Sequence, residues 1–254
     1  MRLRTIRSVR RIVAAERTDS SDAQLGVVLT FVAGAINAGG LLAIGQYTSH
    51  MSGIVSAMAD NLALGAFGLA LTGFAALLPF VAGAACSALL INWGRRNHVG
   101  SPYAVPLGLE ALLLIGFGLL GWGLRPDALF ALAAVSLLCF IMGLQNATIT
   151  KISGARIRTT HVTGIVTDIG IELGKLVYRN RDGAAAGTPR VMADRAKLRL
   201  LASLLASFFA GGVVGALGYQ RLGFMASLPL AVPLLILAGP SLIPHGERRA
   251  DPAP

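Results

Sequence analysis

Six long apolar runs, at about 25–45, 69–93, 104–123, 128–147, 200–219 and 224–243, leave this chain few folds to choose from. Each is long enough to cross roughly 30 Å of hydrocarbon as a helix. Inside lipid every backbone N–H and C=O must find its partner within the protein, and a helix meets that demand within one segment. Only 13% of the residues are charged, where a soluble domain carries about a quarter. The mean hydropathy of +0.68 points the same way. The expected class is an all-α integral membrane protein.

Two further segments, 52–67 and 162–178, are less apolar and carry Asp60, Asp168, Glu172 and Lys175. Positive charge decides how to count them. If neither segment crosses fully, six spans put the N-terminus, the 94–101 and 151–199 connections and the C-terminus on one side. That side then holds twenty Lys and Arg, against Arg125 and Arg221 on the other. If both cross, eight spans result and the division weakens to sixteen against six. Cytoplasmic loops of membrane proteins are rich in Lys and Arg, so six spans with both termini cytoplasmic are expected. The basic stretch from Arg2 to Arg17 precedes an apolar run too long for a signal peptide and reads as the flank of a retained first helix. Cys86 and Cys139 fall within spans and read as packing residues, not as a disulfide or a metal site.

The chain also repeats itself. Thr48-Ser49-His50-Met51-Ser52-Gly53-Ile54-Val55 returns 111 positions later as Thr159-Thr160-His161-Val162-Thr163-Gly164-Ile165-Val166. Gly34 to Ala38 and Gly143 to Ala147 both read G-x-x-N-A, Phe80 to Gly83 matches Phe208 to Gly211, and Val105-Pro106-Leu107 matches Val232-Pro233-Leu234. The matches keep their order, with offsets of 109, 111, 128 and 127, which places an insertion in the second half at about 179–199. Ordered matches at consistent offsets indicate internal duplication. Three spans per half is an odd number, so the halves are expected to be inverted. The expected layout is a basic segment at 1–24, a first repeat at 25–123, a second at 128–243 and a tail at 244–254. In each half an additional helix, partly inserted or spanning, follows the T-x-H-x-[ST]-G motif.

With G-x-x-N-A, T-S-H-M-S-G and G-L-Q-N-A followed by R-T-T-H-V-T-G, the chain resembles the YoaK-like family, domain of unknown function 1275, over about 27–243. The resemblance implies a multi-span protein of the bacterial inner membrane and brings no particular activity with it. The family pattern often carries an acidic residue at Asn37, Asn at Ile54 and an aromatic residue at His161.

Ser, Thr and Gly at each motif suit a helix start, with a hydroxyl capping an orphan N–H and Gly letting the chain turn. Re-entrant helices would then aim the positive ends of their dipoles inward from opposite sides, an arrangement suited to a polar solute. His50, Ser52, Gly53, His161, Thr163 and Gly164 are the candidate substrate-binding residues, with Asn37 and Asn146 beside them. The competing reading takes the same small and hydroxylated residues as helix-packing elements of a non-transporting scaffold or accessory subunit. Glu110, inside the third span, and Asp60 are candidates for ion or proton coupling, since a carboxylate at the bilayer centre costs roughly 3 kcal/mol on insertion scales. At 162–178 the apolar spacing predicts an amphipathic helix with Asp168, Glu172 and Lys175 on a solvated face and a Glu172–Lys175 pair.

One His per half is too few for a metal site, and no cofactor is expected. There is no G-x-S-x-G, H-E-x-x-H or P-loop, so an enzyme is not expected either. The net charge of +10 lies beside the spans, where it serves topology and anionic lipid headgroups rather than nucleic acid. A homo-oligomer is compatible with all of this. The expected function is a permease for a small solute that the sequence does not identify.

Overall fold

The computed structural model describes residues 18–123, 128–180 and 190–242. Within them the chain folds as α1 (Asp19–Ile44), α2 (Met51–Ala63), α3 (Phe67–Arg96), α4 (Ala104–Gly123), α5 (Ala128–Ile152), α6 (Val162–Val177), α7 (Arg195–Leu222), a 3-10 turn (Gly223–Ala226) and α8 (Ser227–Leu242). Four stretches are long and apolar enough to cross a membrane: Asp19–Leu42, Phe67–Arg96, Leu129–Ile152 and Arg195–Gly239. The last of these folds as α7, the turn and α8, and Ala104–Leu119 is a shorter apolar helix. Most of the basic segment, the centre of the insertion and the C-terminal tail lie outside the described residues.

Local chemistry fixes the helix ends. Thr18 and Ser21 form a reciprocal capping box at the start of α1, and Gly45 closes its end in the left-handed conformation. At α7 the Asp194 carboxylate accepts from the Ala196 and Lys197 N–H groups, both at 2.9 Å. Pro79 interrupts the hydrogen-bond ladder inside α3, because it cannot donate to the Ala75 carbonyl one turn earlier. Ser136 of α5 supplies the missing donor at 2.9 Å.

Two parallel helix pairs make the core. Along α1 and α7 the contacts advance four residues at a time on both helices. Ser207 donates to the Val27 carbonyl at 2.7 Å, Gly211 lies on the Phe31 carbonyl, Gly215 on the Ala35 carbonyl, and the Tyr219 ring on Gly39. Gly34 in return lies on the Phe208 carbonyl. The α3–α5 pair crosses by the same rule, Gly83 on the Phe140 carbonyl and Gly143 on the Phe80 carbonyl, with Ser87 and Thr148 bonded at 2.8 Å. Small residues every fourth position let two backbones touch, which is how helices associate where burial from water contributes nothing. Gly118 and Gly121 of α4 likewise receive Ser227, Leu228 and Phe224, whereas Gly116 faces open space.

These contacts orient the bundle. Arg156, just past α5, pairs with Asp19 at 2.6 Å and Asp22 at 3.4 Å, so the end of α5 meets the start of α1 and those two helices run antiparallel. The start of α7, the end of α3 with Arg95 and Arg96, and the start of α4 share that end, here termed the basic end. α2 runs antiparallel to α3, with Met58 over Gly73, and α6 runs antiparallel to α7, with Glu172 beside Asp194. Large apolar side chains such as Leu71, Phe74, Leu78, Phe209 and Val213 cover the outside.

Since a backbone carbonyl cannot yield to a new side chain, Gly83→Leu and Gly211→Leu should each cost at least the roughly 1–3 kcal/mol of an overpacked core. Gly116→Ala should cost nothing. Thermal unfolding of the detergent-solubilised protein, with the monodisperse fraction from gel filtration, separates the three variants.

Candidate functional site

The two motifs sit at the inner ends of two short helices. After α1 the chain turns back into the bundle, and Asn37, seven residues before the end of α1, fastens it there. Its Oδ1 accepts from the Ser49 N–H at 3.2 Å and the Ser49 hydroxyl at 2.8 Å. At about 1.5 Å per residue, the loop is held roughly 10 Å below the end of α1. The second motif is pinned in the same manner. Asn146 Oδ1 accepts from the Thr160 hydroxyl at 3.0 Å and the Thr159 hydroxyl at 3.3 Å, and Gln145 Oε1 accepts from Thr159 at 3.4 Å. From these anchors α2 runs toward the end opposite the basic one, and α6 toward the basic end. The two helices therefore begin inside the bundle and leave it in opposite directions.

A helix does start at each motif, but the hydroxyl cap does not form. The capping residues are His50 and His161, with nearly identical backbone angles (φ −90°, ψ 62° and φ −86°, ψ 58°) and no side-chain cap bond. Three residues on, Gly53 and Gly164 lie under the imidazoles: a Cβ on Gly53 would meet the His50 ring, and one on Gly164 the His161 ring. The H-x-x-G part of the motif is thus a seat, in which glycine makes room for the ring over the first turn. The hydroxyls expected to cap are spent otherwise. Ser49, Thr159 and Thr160 pin the loops, while Ser52 and Thr163 point outward from the first turn.

Each histidine lines an open pocket. The first, of about 420 Å³, is bounded by Gln46, Tyr47, His50, Gly53, Asn61 and Thr72 among others. The second, of about 430 Å³, is bounded by Arg156, Arg158, His161, Thr163, Gly164 and Asp168 among others. They share no residue, so His50 and His161 face different spaces. The positions correspond: at the motif offset of 111, Tyr47 matches Arg158 and Ala57 matches Asp168. The first pocket has no Asp, Glu, Lys or Arg in its lining, whereas the second has Arg156, Arg158 and Asp168. Asn37 and Asn146 act through their loops, Asp60 is exposed on α2, and Glu110 is buried in α4 with no hydrogen bond to either oxygen. Gln46, Tyr47, Asn61, Arg156 and Arg158 were not among the expected site residues; Tyr47 and Arg158 directly precede the motifs but differ between the two copies and so fall outside the repeated string. Among the described residues no three of His, Cys, Asp and Glu gather closely enough to hold a metal ion.

Below the charged pocket, α6 is locked to α7 instead of presenting the solvated face expected of it. Glu172 is only 1% exposed. It accepts from Lys175 Nζ at 2.8 Å, the expected pair, and from the Asp194 N–H at 2.8 Å, with Lys197 Nζ at 3.9 Å from it and 3.3 Å from Asp168. The Lys175 ammonium, followed by the Asp194 amide, holds the Glu172 carboxyl below the usual carboxylate range.

Residues 25–239 match the family described as "Protein of unknown function (DUF1275)". The chain belongs to this family. The matched segment of this DUF1275 protein runs from the start of the α1 core to α8 and includes both motifs. No curated protein and no solved structure matches the chain.

Two predictions follow from this geometry. Asn37→Leu and Asn146→Leu each strand buried donors, so each should lower stability by about 1–3 kcal/mol in thermal unfolding. Asn37→Asp should cost less than Asn37→Leu, because Asn37 offers the loop only an acceptor oxygen. Glu172, with its carboxyl depressed by folding, contributes stability that is full above the ordinary glutamate value of about 4.3 and is lost as pH falls through the lower folded value. The acid limb of melting temperature against pH should flatten in Glu172→Gln.

Proposed function

We propose that this DUF1275 protein is a multi-pass permease of the bacterial inner membrane. In this reading it has six spans in two inverted three-span repeats, both termini in the cytoplasm, and a small solute crossing at the interface of the repeats. One observation carries the reading: two short helices begin inside the bundle, leave it toward opposite ends, and carry the same histidine-on-glycine seat beside pockets of similar size. Irregular backbone at membrane depth is tolerated only where it is buried in protein or lines a cavity. Two such breaks facing opposite ends are the parts from which inverted-repeat transporters build alternating access. The two pockets then serve as the approaches from either side, and the basic end faces the cytoplasm and its anionic headgroups. The protein is read as a carrier without enzymatic chemistry, able to work alone or as a homo-oligomer.

A scaffold or accessory subunit is the second reading. It is favoured by the Ser49, Thr159 and Thr160 hydroxyls, which are consumed in pinning loops, and by the separation of the two pockets.

Uptake and export of a broad metabolite panel by a strain lacking the gene, restored with the wild type or with His50→Ala and His161→Ala, distinguishes the two. A solute whose flux needs the wild type and falls at least tenfold in both variants supports the permease. Full rescue by both variants, or no solute changed, overturns it. Topology is read separately, in a background without Cys86 and Cys139. External membrane-impermeant maleimide should label Leu64→Cys and leave Met192→Cys unlabelled. Protection of both rejects six spans in favour of eight.

A further inference from the structure

Glu110 stands apart from every other acidic residue described. It lies in the second turn of α4 and is fully buried, and neither carboxyl oxygen makes a hydrogen bond. The elements packed on α4 are α8, the 223–226 turn, α5 and α3. α8 and the turn bring no titratable side chain. α5 brings Cys139 and Lys151, and α3 brings Cys86, Arg95 and Arg96, none of which ion-pairs with Glu110. An ionised carboxylate so placed would lack both a cation and a donor. The buried polar side chain beside it is Gln145 of α5.

Gln145 is also where the second motif is fastened. Its Nε2 donates to the Leu29 carbonyl of α1 at 3.1 Å, and its Oε1 takes the Thr159 hydroxyl at 3.4 Å. One amide therefore touches α1, the second motif loop and the surroundings of Glu110. Neither residue has a polar equivalent in the other half. At the repeat offsets of 109 and 127, Gln145 corresponds to Ile36 and Glu110 to Leu237, both buried in the apolar core.

We propose that Glu110 is a proton-binding site whose occupancy is linked, through Gln145, to the seating of the second motif. With a proton bound, the carboxyl is neutral and tolerates its surroundings without a donor. When the proton leaves, the carboxylate demands one, and the Gln145 amide is the group at hand. Turning toward Glu110 draws Gln145 away from Thr159 and loosens the anchor of the α6 start. By reciprocity, whatever moves Thr159 changes the hold of Glu110 on its proton. Because Gln145 holds Thr159, the coupling reaches the second motif, whose pocket opens at the basic end. As a source of driving force it rests on the permease reading; as a linked proton site it does not.

Infrared difference spectroscopy of the purified full-length protein in detergent tests the site without any solute. At neutral pH the wild type should show the C=O stretch of a protonated carboxylic acid. That band should fade reversibly as pH is raised, vanish in Glu110→Gln, and shift in position or in titration midpoint in Thr159→Val. Glu110→Leu, copying Leu237, should lack the band and melt no lower than wild type, which separates loss of the site from loss of the fold. A wild type without the band, a band that survives Glu110→Gln, or one unmoved by Thr159→Val overturns the proposal. If the band behaves as expected while the metabolite panel shows no flux, the permease reading fails and the proton site stands.

Discussion

Backbone contact at glycine is the constraint on which the rest of this structure depends. In the interior of a lipid-embedded bundle there is no water to expel, so helices are held by close packing and by hydrogen bonds between them. Gly34 and Gly211 each lie on a carbonyl of the other's helix, and Gly83 and Gly143 do the same across α3 and α5. Each crossing joins a helix that precedes a motif to one that follows the other motif. Because the partners come from different halves of the sequence, the halves interlock instead of folding side by side.

That interlocking sets the stage for the motifs. α1 and α5 present Asn37 and Asn146 about one turn beyond their crossing glycines Gly34 and Gly143, and these side chains hold the two loops inside the bundle. The short helices can then begin at depth, each with a histidine ring seated on its first turn. Glycine thus has two uses here: at the crossings it admits a neighbouring carbonyl, and at the motifs it admits the chain's own imidazole. Neither tolerates a Cβ, for different geometric reasons.

The surroundings of the two motifs differ in polarity. The first pocket has no Asp, Glu, Lys or Arg in its lining, whereas the second is lined by Arg156, Arg158 and Asp168. Buried Glu110 and Gln145 have only Leu237 and Ile36 as counterparts.

Much of the fold was legible in the sequence. Apolar run length set α1, α3, α4, α5, α7 and α8 to within a few residues, because a helix in lipid must be about as long as the hydrocarbon is thick. The duplicated strings marked the helix starts; that the glycines of G-x-x-N-A and F-x-A-G form both crossings emerged only from the packing. The purpose of each motif letter was hidden. Whether Ser and Thr cap a helix or pin a loop depends on what lies across from them, and Asn37 and Asn146 became the acceptors only when the chain turned back. The burial of Glu172 and the isolation of Glu110 were equally out of reach. A carboxylate's surroundings are assembled from helices far apart in sequence, and only their packing decides whether it meets a lysine, water or nothing at all.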